Sequence, residues 1–161
     1  MTSSLQLKAS VVALESAIND GITDGTLEDA MEECPVTHHF APPIEEYGCG
    51  TYARELFIPK GVVLVGKIHR HSHLSFLMKG EVIIVSEKGK EQLKAPYTFV
   101  SPIGAKRAFY AVEDSIITTV HLTKHTKEPD IEQEVISESF TELGLEEPDL
   151  QMFYKELEKL K

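Results

Sequence analysis

The chain has 161 residues, 42% of them apolar, and a formal net charge of −10. That length suits one domain around one core. The acidic balance argues against a nucleic-acid backbone or an anionic membrane as the main partner, because both reward clustered Lys and Arg. No apolar run approaches the roughly eighteen residues of a membrane span. The opening MTSSLQLKASVVALES lacks the basic start, apolar block and cleavage site of a secretory signal. Cys34 and Cys49 are too few for a disulfide framework. The expected setting is the cytoplasm, with reduced thiols. Cys49, between Gly48 and Gly50, reads as a packing or turn residue rather than a reactive thiol.

Three parts follow in chain order: 1–50 as a helical and loop extension, 51–123 as a strand-rich core, and 124–161 as an acidic segment with a final helix. Leu7, Val11, Leu14 and Ile18 lie at helical spacing behind Ser3 and Ser4, which can cap, and Asp20-Gly21 reads as the stop. A shorter helix is predicted from Thr26, with Asp29 placed for a capping box and Pro35 ending it. The stretch CPVTHHFAPPIEEYGCG is read as loop, because its prolines and glycines oppose a long regular element.

The middle part carries TYARELFI, VVLVGKIH, LSFLM, EVIIVS, YTFVS, RAFYAV and SIITTVHL, runs rich in β-branched and aromatic residues with turn signals between them. The spacing predicts an all-β core, an antiparallel sandwich or barrel, and the lack of alternating helical segments argues against a parallel α/β sheet. Beyond it, 127–147 is acidic and is expected to wrap the core or stay mobile. Pro148-Asp149 opens the last helix, with Leu150, Phe153, Leu157 and Leu160 on one face.

The densest chemistry is KIHRHSHLSFLMKG. On one strand Lys67, His69, His71 and His73 would share a face, and Ile68 and Leu74 the other. His69 and His73 would then stand about 13 Å apart, so they can share a metal only if Arg70-His71-Ser72 turns the chain. The competing reading is a solvated polar stripe over a face buried through Ile68, Leu74 and Phe76. His121, near the end of the last strand, is the best candidate for a third ligand, although Ile116, Val120 and Leu122 set an apolar register that would turn it outward. His38 and His125 read as solvated. Glu55 is a ligand, a general base, or an exposed partner of Arg54 or Lys60.

These motifs resemble those of cupins, small jelly-roll barrels. Gly61 is followed by five residues, Lys67-Ile68-His69, three residues, His73, six residues and Gly80. Lys67 stands where the family has its first His, and His73 where it has Glu. Pro102-Ile103-Gly104 matches the second motif, with Arg107 in place of its His. The resemblance covers 51–123 and implies a cupin-type antiparallel jelly-roll barrel flanked by N-terminal helices and a C-terminal helix. It also implies a homodimer or higher homo-oligomer. A narrower likeness joins CPVTHHFAP, YARELFIPKG, GKIHRHSH, APYTFVSPIGAKRAFYA and TTVHLT to small cupin-like proteins of tailed bacteriophages, whose setting would be the host cytoplasm. It implies that His39, Glu55, Lys67, His69, His73, Arg107 and His121 share a pocket.

The expected site therefore has His69, His73, His121 and His71 as ligands to a divalent metal (Zn, Fe, Mn or Ni), Glu55 and Lys67 as catalytic groups, and Arg107, His39 and Lys67 as ligand-binding groups. Two cations beside a dication call for an anion between them, so the expected small molecule is a carboxylate, sugar-phosphate or nucleotide, gripped by Arg107. Three functions fit: a metal-dependent isomerase or oxygenase, a non-catalytic protein that sequesters a small molecule, or a structural oligomer without metal.

Overall fold

The computed structural model describes residues 3–159. Helix α1 spans Ser4–Asp24, and its first turn is closed by a reciprocal pair: Gln6 N–H donates to Ser3 Oγ at 3.2 Å, and Ser3 N–H donates to Gln6 Oε1 at 2.8 Å. The helix passes the predicted stop at Gly21 and ends at Gly25, whose φ of 79° lies in the left-handed region. It buries Ala9, Val11 and Ala13, while Leu14 faces solvent. Instead of a second α-helix there is a short 3-10 turn, Ala30–Glu33, capped by Asp29, which accepts the Met31 N–H at 2.9 Å.

Among the described residues eleven strands follow: β1 Val36–Ile44, β2 Cys49–Ile58, β3 Val63–Val65, β4 Ile68–His69, β5 His73–Lys79, β6 Glu81–Ser86, β7 Gly89–Lys94, β8 Tyr97–Ser101, β9 Ala108–Ala111, β10 Ser115–Thr123 and β11 Ile136–Ser137. They form a five-stranded sheet in the order β1-β2-β10-β5-β8, a four-stranded sheet β3-β9-β6-β7, and a two-stranded pair β11-β4. Every ladder is antiparallel.

The jelly-roll barrel expected from the resemblance is not what forms. Closure would need β1 or β8 to pair with β3 or β7, and no such ladder exists among the described residues. The sheets instead stay open and face each other. Leu56, Ile58, Leu77 and Ile117 from the larger sheet pack with Val82, Ile84 and Ala111 from the smaller in one apolar cluster. Edge β1 contains Pro42 and Pro43, which have no N–H to offer a further strand.

The same edge position explains why CPVTHHFAPPIEEYGCG is not the expected loop. Only one side of β1 needs partners, and residues 36–41 pair with β2 in register before the ladder shifts between Ala41 and Ile44. The run VVLVGKIH splits at Gly66-Lys67 into β3 and β4, which belong to different sheets. Strand β7, GKEQLK, has little β propensity and was not predicted; it is a charged edge strand paired to β6.

In the acidic segment, helix α2 (Glu128–Val135) starts with Pro129 in its first turn and buries Ile131 and Val135. Those two residues meet Tyr52 and Ile136 in a second apolar cluster. Helix α3 (Leu150–Glu158) is capped by Asp149, which accepts the Met152 N–H at 2.9 Å. Leu160, expected on its apolar face, lies outside the described residues. Asp149→Ala is expected to cost about 1 kcal/mol, the usual worth of an N-cap, and to lower the melting temperature by about 2–4 °C for a chain of this size. Thermal unfolding followed by circular dichroism measures it.

Candidate metal centre and cavity

Side-chain parity on the larger sheet sets what faces inward. On β10 the odd residues Ser115, Ile117, His121 and Thr123 are buried, while Leu122 is 69% exposed. Across the ladders, His121 stands opposite Tyr52 of β2, Thr119 opposite Ser75 of β5, and Ser101 of β8 opposite His73. All of these lie on the face toward the smaller sheet.

His69 reaches the same place by another route. Strand β4 ends at His69, the chain bends through Arg70-His71-Ser72, and β5 begins at His73. The bend is held from the C-terminal side. The Arg70 amide donates to the Val135 carbonyl at 2.8 Å, its Nε to the Ile136 carbonyl at 2.6 Å, and its Nη2 to Glu142 Oε2 at 2.8 Å. On the other side the Gly104 amide donates to the His69 carbonyl at 2.8 Å. Gly104 has φ 72°, a left-handed conformation that residues with a Cβ rarely adopt, so the turn favours glycine.

The three rings converge. Centroids are 4.3 Å apart for His69 and His73, 4.5 Å for His73 and His121, and 5.5 Å for His69 and His121, the last pair within 3° of parallel. One nitrogen from each lies within 4.8 Å of the others. His121 is 5% and His73 7% exposed. Burial first, and then the neighbouring imidazole His73, push His69 down to about 4 and His121 down to about 3. Burial also lowers His73. At neutral pH the rings are therefore uncharged, the form that donates a lone pair to a metal.

The donor chemistry fits a divalent transition metal. His73 Nδ1 donates to the His71 carbonyl at 3.2 Å, which fixes the proton there and leaves Nε2 as a lone pair. His121 Nε2 is 3.1 Å from Thr119 Oγ1, leaving Nδ1 free. Three imidazoles without a carboxylate suit Zn, Fe or Ni better than Mg or Ca.

The cluster lines a cavity of about 480 Å³ between the sheets. Its inner wall is apolar, with Leu56, Ile58, Phe99, Phe109 and Ile117. Arg54 and Arg107 also line it, and both oppose protonation of His69. At the mouth Lys67 pairs with Glu132 of α2, and Glu15 of α1, which also lines the cavity, accepts from buried Lys106 at 2.8 Å.

Four of the residues expected in the site stand elsewhere or differ in role. Glu55 lies on the outer face of β2, outside the cavity, with His39 Nε2 3.7 Å away on the same outer face. His71 is exposed on the bend and contributes its carbonyl, not its ring, to the cluster. Lys67 sits at the rim in its ion pair. His38, read as solvated, is exposed, and it also lines the mouth with Nδ1 2.7 Å from the Tyr52 hydroxyl. Tyr52, Arg54, Ser75 and Ser101 were not singled out from sequence. The signal for them is parity: once His121 is set inward, their strand positions point the same way.

No protein-family profile and no curated protein matches the chain. Among solved structures it is similar to KdgF from a Halomonas species, at 18% identity and TM-score 0.44, over 60% of this chain and 84% of that one. A cupin superfamily protein from Desulfitobacterium hafniense matches at 12% and 0.43, over 55% and 77%. An acetylacetone dioxygenase from Acinetobacter johnsonii matches at 16% and 0.42, over 60% and 72%. At TM-scores below 0.5 these likenesses carry nothing about what this chain binds or does.

Proposed function

We propose that the chain binds one divalent transition metal through His69, His73 and His121 and holds a small anionic molecule against it in the cavity. The observation that supports this reading is the convergence of three neutral imidazoles, from β4, β5 and β10, on the wall of one hollow. A metal with three protein ligands keeps open positions and polarises an oxygen bound there. The chain's own contribution is threefold. His71 and Thr119 orient two of the rings, Arg54 and Arg107 supply positive potential inside an acidic protein, and the apolar inner wall excludes water. Elemental analysis of protein purified without a His tag, followed by zinc titration of the stripped chain, tests the reading. The expected stoichiometry is about one per chain, as for one set of ligands. Absence of metal in the first measurement together with no binding in the second would overturn it.

A further inference from the structure

Arg107 is 8% exposed and lines the cavity, yet it has no ion pair within 4 Å among the described residues. One of its N–H groups, on Nη1, donates to Ser101 Oγ, and its guanidinium carbon lies 5.1 Å from the Phe99 ring centroid. Burial works against its charge, and Glu87 and Glu91 offset that only in part, from farther off. A buried cation without a partner is costly, and this one borders open space.

Its neighbours leave donors unspent. Ser101 Oγ and Ser75 Oγ are 2.9 Å apart, and the two residues are 1% and 2% exposed. Ser101 accepts from Arg107, so whichever serine donates to the other, one hydroxyl proton remains for a third party. Guanidinium N–H groups not given to Ser101 remain as well. One cation with a hydroxyl matches the charge and two acceptor oxygens of a carboxylate; a phosphate dianion asks for more. The place is adjacent to the imidazoles. Ser101 stands opposite His73, which puts their Cβ atoms about 4.5–5.5 Å apart. Ser75 follows two residues along the same strand face, about 6.6 Å on.

We propose that Arg107, Ser101 and Ser75 form a carboxylate seat beside the imidazole cluster, and that the cavity's ligand is a short dicarboxylate with one acid group toward the histidines and the other in this seat. The two-point attachment rests on the metal reading above; the seat does not. The separation suits a molecule about the length of succinate or glutarate, given the strand spacings.

Ligand-observed NMR titration with succinate, glutarate, butyrate and valerate, on zinc-loaded and on stripped protein, tests it. With zinc, each dicarboxylate is expected to bind about ten- to a hundredfold tighter than its monocarboxylate partner, the worth of one charge-assisted hydrogen-bonded contact. Arg107→Met is expected to erase that difference with zinc stoichiometry unchanged. On stripped protein all four are expected to bind weakly through the seat alone, and Arg107→Met is expected to abolish it. Ser101→Ala serves as the second variant should Arg107→Met fail to fold. Equal binding of mono- and dicarboxylates to zinc-loaded protein, or carboxylate binding indifferent to both substitutions, would overturn the proposal. If the chain takes up no zinc, the metal reading falls, and the stripped-protein arm alone decides the seat: no binding there would overturn it too.

Discussion

His121→Ala is expected to weaken zinc binding by more than about 100-fold, beyond the 10–100-fold that loss of an outer-shell partner brings. His121 is the only ring of the three that comes from outside the 67–80 segment, so without it the remaining pair is two imidazoles across one bend. The fold should persist, because β10 stays paired on both sides with β2 and β5. His71→Ala is the matched control. Its exposed ring takes no part, and the carbonyl that orients His73 survives the substitution. Competition titration with a chromophoric zinc chelator measures both variants. An unchanged affinity in His121→Ala would remove His121 from the ligand set.

The metal-free protein is expected to lose stability on mild acidification. His69 titrates near 4 and His121 near 3 in the folded chain, whereas an imidazole in the unfolded chain titrates near 6.5. The unfolded state therefore takes up these protons first. Stability is full above about pH 6.5 and falls as pH drops through that value, levelling only near 3–4, where the folded rings protonate as well. Between pH 7.5 and 5.5 each of the two groups contributes a loss of about 1.4 kcal/mol, so the pair costs roughly 3 kcal/mol. His73, also lowered by burial, acts in the same direction. Urea unfolding of stripped protein at the two pH values gives the difference directly. A midpoint that does not move would show that the rings are not buried neutral.

The sequence carried the spacing of the site better than its orientation. The interval from Gly61 through His69 and His73 to Gly80 was legible because glycines and histidines punctuate it. The need for a turn at Arg70-His71-Ser72 followed from strand geometry alone. The inward face of β10 was not legible. Alternation says which residues share a face, not which face is buried. Here Val120 and Leu122 lie on the outer face, while polar Thr119 and His121 line the inner one. The same ambiguity hid Ser75 and Ser101, whose neighbours Leu74 and Val100 are the exposed ones.

Closure of the sheet was beyond reach for a different reason. It depends on which edge amides meet, and nothing in the strand sequences encodes a ladder between β1 or β8 and the smaller sheet. Strand β1 was obscured by its prolines, which forbid a central strand and tolerate an edge. Helix α2 presents only Ile131 and Val135 as buried residues among acids, too few for periodicity to register.

The Arg70 contacts give the acidic C-terminal segment a task. The segment 135–142 grips the histidine bend through one side chain and one backbone amide, while both larger sheets are laced together without it. A cut in the chain just after Thr123 would leave those sheets their ladders and release the brace on the bend. Trimming the protein to its strand-rich shell would leave the imidazoles slack and uncover Tyr52, which packs on Ile131 and Val135: a tail in composition works here as the keystone of the hollow.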